Sequence, residues 1–158
     1  MHYDTGATYF ANIPGAQVDD VESASRSAAY GGVTTVLPFW WPPKGERLAV
    51  FLPRSIDDGR RRSYVDFAPH CCLWPDLDQI AEIPQAIALG ITSFKATMGY
   101  RHSGRMSDGY YLAKQMAAIR DGGLMMVHAE DGNLIEHLPS SRWSPPRASW
   151  AAPCTSCT

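Results

Sequence analysis

What this sequence lacks narrows it quickly. No apolar run is long enough to span a bilayer. The opening stretch, MHYDTGATYF, has no basic segment followed by an apolar one, so no secretory leader is expected. Charge of one sign is also missing. Fourteen Lys and Arg stand against sixteen Asp and Glu, for a formal net charge of -2. There is no basic block and no basic face interleaved with aromatics, which argues against a nucleic-acid partner. Cysteine is scarce. The four residues form an adjacent pair, Cys71–Cys72, and a terminal Cys154-x-x-Cys157. That is not a disulfide framework, and a reducing, cytoplasmic setting is expected. What is present suits a globular chain. Hydrophobic residues make up 45% and charged residues 19% of 158, enough for one domain with a real core.

Read in order, Met1–Gly15 is a loop that looks like the segment following a strand, with Pro14-Gly15 as a turn. Gln17–Tyr30 is expected to be helical. Asp19 and Asp20 suit its first turn, Val21, Ala24 or Ser25, and Ala28 form a small-residue face, and Gly31-Gly32 end it. Val33–Phe39 is a β-branched run expected to form a buried strand, with Pro38 at its end or edge. Trp40–Pro43 is expected to be a loop. Glu46–Ser55 is ambiguous, and Asp57–Arg62 is a charged turn around Gly59. Tyr64–Ala68 is a second strand with His70 just beyond it. Leu77–Leu89 is helical, with Pro84 at a break or a new first turn. Thr92–Met98 is a third strand. Ser107 or Asp108 caps a helix with an apolar stripe of Leu112, Met116 and Ile119. Leu124–Val127 is a fourth strand running into His128, Ala129, Glu130 and Asp131. Pro139–Thr158 differs in kind. It has no Asp, Glu, Ile, Leu, Val, Met or Phe, but four of the twelve prolines. Residues 139–158 are therefore set apart from a domain at 1–138 as a disordered or out-of-pattern tail.

Apolar strands alternating with helices argue for an α/β fold with a parallel sheet. In such folds the reacting groups collect at the C-terminal ends of strands. One stretch stands out, Gly90–Tyr100, GITSFKATMGY. It places Lys95 inside an apolar, β-branched run. A buried ammonium is costly unless its charge is paired or removed. Carboxylation of the amine by CO2 removes the charge and makes an anionic, two-oxygen ligand able to bridge two metal ions. The other reading of Lys95 is a stem packed in the strand with its ammonium reaching solvent.

The stretches MHYDTG, DDVESASRSAAYGGVTTV, VDFAPH, GITSFKATMGYR and VHAEDGNLIE together resemble the cyclic amidohydrolases, in the dihydropyrimidinase and hydantoinase branch. The resemblance runs from the N-terminus to about His137. It implies a (β/α)8 TIM barrel, present here in part, from roughly the end of strand 1 through strand 5. It implies two divalent metal ions, usually zinc, bridged by carboxylated Lys95. His128 matches the histidine that ends the fifth strand and binds the more exposed metal. His2 matches the second histidine of a His-x-His pair after the first strand. Tyr100 matches the tyrosine that donates to the developing oxyanion. The implied substrate is a small cyclic amide of the dihydropyrimidine or hydantoin type, and the implied assembly is a homo-oligomer, a tetramer in the complete family. Glu130 and Asp131 read as support for His128 or as helix N-terminal charge. His70 reads as structural or pocket-lining.

The departures from the family pattern are specific. The first histidine of His-x-His would precede Met1. The sixth-strand histidine and the proton-shuttling aspartate after the eighth strand have no counterpart, and Pro38 stands where relatives usually carry an aspartate. The expected reading is an incomplete hydrolase with little catalysis of its own. One alternative is a non-catalytic, dihydropyrimidinase-related scaffold, although a scaffold has no need of Lys95 and His128. A zinc or redox module on Cys154 and Cys157 is a third.

Overall fold

Two prolines interrupt the strands without breaking their register. The computed structural model describes residues 19–137. Thr35–Val36 (β1) pairs in parallel with Asp66–Phe67 (β3), and Phe39–Trp40 (β2) pairs in parallel with His70–Cys72 (β4). The ladder continues between the pairs, because Ala68 N–H donates to Val36 O at 3.0 Å and His70 N–H to Pro38 O at 2.8 Å. Pro38 and Pro69 have no N–H to give, and there the regular pairing lapses. Physically these are two long neighbouring strands. Ser93–Thr97 (β5) pairs with β4, and Leu124–His128 (β6) pairs with β5, all in parallel. The four-stranded sheet has the order β2-β4-β5-β6, the order of the chain itself.

Helices cover one face of this sheet. Val21–Tyr30 (α1) precedes β1, Leu48–Arg62 (α2) links β2 to β3, Leu77–Ala81 (α3) and Ile83–Ala88 (α4) link β4 to β5, and Gly109–Ile119 (α5) links β5 to β6. Gly132–His137 (α6) follows β6. Parallel strands need such crossovers. Trp40, Cys71, Leu73 and Phe94 point to the helices and pack with Leu48, Phe51, Leu52, Ile83 and Ile119 in the main core. Successive strand residues alternate faces. The other face therefore carries Phe39, Trp41, His70, Cys72, Ser93, Lys95, Thr97, Met126 and His128.

Several expectations are borne out locally. Val21, Ala24, Ser25 and Ala28 are the buried face of α1. Pro84 starts α4 near its first position, as proline's fixed φ and missing N–H favour. Asp108 caps α5, accepting from Tyr110 N and Tyr111 N at 3.0 and 3.1 Å. Other expectations are corrected. Asp20 is not in the first turn of α1 but is its N-cap, in a reciprocal capping box with Ser23. Trp40 is a strand residue, and both Trp40 and Trp41 are buried. The ambiguous stretch and the charged turn form one helix, α2, whose Leu48, Phe51, Leu52, Ser55 and Gly59 face the core. His70 lies in β4, not beyond its strand. The buried face of α5 is Gln115 and Ile119, and Met116 is exposed. His2, the end of a first strand and the segment 139–158 lie outside the described residues.

Candidate active site

Lys95 and His128 lie on the non-helical face of the sheet, toward the C-terminal ends of β5 and β6, and Tyr100 stands beside His128. The register pairs Lys95 with Met126 and Thr97 with His128. Lys95 and His128 therefore share one face of neighbouring strands, with His128 two residues nearer the strand ends. Lys95 is half-buried, and its Nζ stands 5.8 Å from the centroid of the Phe39 ring. On that same flank its backbone neighbour is Cys72, and on the other it is Met126.

His128 is the more exposed partner. Its Nε2 lies 3.2 Å from Glu130 Oε1. Asp131 instead caps α6, accepting from Asn133 N and Leu134 N at 3.0 Å each. The two acidic residues thus divide the support and helix-charge roles between them.

Tyr100 reaches the site by an unusual backbone. It sits at φ 59° and ψ 41°, a left-handed conformation that costs a non-glycine residue energy unless its surroundings enforce it. Its carbonyl accepts from Ser103 N at 3.1 Å, Ser103 Oγ at 2.8 Å and Arg105 N at 3.3 Å. The Arg101–Ser103 turn that follows is tied to α6 by Arg101 Nη1 on Asn133 Oδ1 at 2.5 Å. The outcome is a Tyr100 ring whose centroid is 6.2 Å from that of His128.

The deeper layer of the same face holds His70 and Cys72. His70 Nδ1 is 2.6 Å from Ser93 Oγ, and its ring lies 4.9 Å from that of Phe39. Burial, with the nearby Lys95 charge adding to it, pushes the His70 pKa below the usual histidine value. Burial also drives both thiols up, Cys71 to about 12 and Cys72 well above the ordinary thiol value. Both are therefore inert thiols at neutral pH. Strand alternation in HCCLW was the available sequence signal that His70 and Cys72 belong to the Lys95 face.

Among the described residues, no three His, Cys, Asp or Glu side chains converge as a metal site. The donors present fit a metal centre in part, with one imidazole at a strand end and one amine on the adjacent strand.

Comparisons with known proteins follow the same line. No family model matches the chain. Over 122 residues, 76% of its length, the chain is 35% identical to a D-hydantoinase of Geobacillus stearothermophilus, and the match covers 26% of that protein. It is 28% identical to a dihydropyrimidinase of Rattus norvegicus over 120 residues, 75% of this chain and 23% of the other. A solved D-hydantoinase structure superposes with a TM-score of 0.65 at 33% identity, over 76% of this chain and 26% of that one. The chain thus spans about a quarter of the length of the relatives it matches. Parallel strands, crossover helices and this superposition make it an α/β protein of the TIM-barrel family. Within that class, the matched part is related in sequence and fold to hydantoinases and dihydropyrimidinases.

Proposed function

We propose that this chain supplies part of the active site of a metal-dependent hydrolase that opens the C–N bond of cyclic amides, such as dihydropyrimidines and hydantoins. The observation that supports it best is the placement of Lys95 and His128 on one face of adjacent parallel strands, with Tyr100 beside His128. The relatedness to hydantoinases supports the substrate class. In this reading the chain extends from the end of barrel strand 1 to strand 5 and assembles as a homo-oligomer.

Lys95, His128 and His2 would hold two divalent ions, usually zinc. When bound, such ions polarise the substrate carbonyl and supply a hydroxide at neutral pH. The residues do the rest. Lys95 adds its amine to CO2, forming an N–C bond and releasing a proton, which leaves an anionic carbamate with two oxygen donors. Glu130 stands beside the His128 ring, 3.2 Å from Nε2, where carboxylates commonly orient ligating imidazoles. Tyr100 donates a hydrogen bond from its phenol O–H to the oxyanion of the tetrahedral state, a contact whose loss typically raises a barrier by roughly 2.7–4 kcal/mol.

The test is metal binding by the full chain in zinc and bicarbonate. Zinc is expected to bind and to shift the His128 ring signals, with one CO2 adduct on Lys95 by mass spectrometry. Lys95→Ala and His128→Ala should each weaken it at least tenfold. Zinc binding unchanged in both variants would refute the assignment. Ring opening by the chain alone is expected to be negligible, and measurable turnover would overturn that part.

A further inference from the structure

The loop from Met98 to Met106 carries Tyr100, and one residue holds both of its ends. Thr97 is the last residue of β5, two positions after Lys95 on the same face, and it pairs directly with His128. It is almost fully buried. Its carbonyl accepts from Ser107 N at 2.7 Å, and its hydroxyl donates to Arg105 O at 3.1 Å. A parallel bridge joins it to Met106. The far end of the loop is held again from α5. Gln115, fully buried, donates through Nε2 to Ser107 Oγ at 3.3 Å and to Trp74 O at 3.2 Å.

We propose that Thr97 is a positioning residue, whose side-chain hydroxyl clamps the Met98–Met106 loop and so fixes the Tyr100 ring beside His128. The physical reason is the backbone of Tyr100. A left-handed tyrosine is not a conformation the segment would keep by itself. It persists when the ends of the loop are fixed at one separation. Thr97 does this from the same residue that sets the register of His128, so the phenol and the imidazole share one anchor. A valine there would fill the same volume and keep the strand, but would leave the Arg105 carbonyl without that donor.

The inference rests on the proposed site, and its test separates the two. In the full chain, ring-to-ring NOEs between Tyr100 and His128 are expected, with amide relaxation over residues 98–106 as rigid as in β5. Thr97→Val should abolish those NOEs and give the loop fast internal motion, while the β5–β6 cross-strand NOEs persist. Thr97→Ser, which keeps the hydroxyl, should restore them. NOEs and rigidity retained in Thr97→Val overturn the clamp, as does failure of Thr97→Ser to restore them. If Thr97→Val does not fold, the wild-type relaxation decides, because a loop already mobile there is not clamped. None of these readouts depends on zinc. Loss of zinc binding would sink the metal reading and leave the clamp standing.

Discussion

His70 shows how one residue's surroundings become a measurable property of the chain. It is half-buried, bonded to Ser93 and near Lys95. Burial and that neighbouring charge disfavour its protonated form. Its folded pKa lies below the ordinary histidine value of 6.5, so the unfolded chain binds the proton more tightly. Stability must then rise with pH from the folded value up to 6.5, and fall as the pH drops below 6.5. Urea midpoints should be lower at about pH 5.5 than at about pH 7.5, and His70→Gln should flatten that difference. A second acid step belongs to Glu82. Burial pulls its pKa up, but the Arg47 guanidinium and the Ala49 N–H pull it further down, so its contribution is lost only below 4.5. A wild-type midpoint that does not move between the two pH values would refute the His70 argument. At this scale the sequence was legible where chemistry is carried by residue type. Lys95 in an apolar run and His128 at a strand end both sit where their neighbours implied. The left-handed Tyr100 was not legible, because a tyrosine carries no local preference for that conformation and only the closed loop imposes it.

Helix α2 is the element whose sequence misled most. Pro53 and Gly59 both argue against a helix interior, and its charges suggested a turn. Packing overrides these local preferences. Leu48, Phe51, Leu52 and Ser55 recur at helical spacing and close the core over Trp40 and Phe94. Arg62, in its last turn, reaches back to the Asp20 carboxylate at the start of α1. Gly59 is there because of space. A Cβ at that position would stand 2.6 Å from Phe67 Cζ and 2.9 Å from Cε1, and the half-buried ring packs against the main core. Alanine would gain about 1 kcal/mol of helix propensity. Overpacking a fitted site costs typically about 1–3 kcal/mol, so the clash should win. Gly59→Ala is expected to lower the urea midpoint, and Gly59→Ala combined with Phe67→Leu to recover part of it. A single variant as stable as the parent would show that the ring moves freely. By contrast, α3, α4 and α5 were legible because their punctuation is local, with Asp76 and Asp108 as caps, Pro84 at a helix start, and Gly90 at φ 93° after a helix end.

At the scale of the whole molecule, the order of elements was legible, and a partial barrel implies unpaired sheet edges and an uncovered apolar face. Alternating apolar strands and helices announce a parallel sheet, but sequence alone does not say how much of each face is covered. The helices cover one face. On the other, Leu124 is 68% exposed although it opens an apolar strand. Beyond β6 no further strand pairs among the described residues. Leu124 N–H donates to Thr92 O, so in a parallel strand the N–H groups of Met125 and Val127 point to the opposite, outer side. An edge with neither Lys nor Pro, and with an exposed leucine, is a template for pairing with another chain. Self-association that grows with concentration is therefore expected in light scattering. Leu124→Lys should suppress it, because a charge on an edge strand blocks pairing while the strand itself survives. Circular dichroism should be unchanged, since the Leu124 side chain makes little of the core. Association that persists in Leu124→Lys, with Met125 and Val127 amides still exchanging fast, would place the contact elsewhere. In that case the β6 edge stays open and unpaired, and the chain associates through another surface.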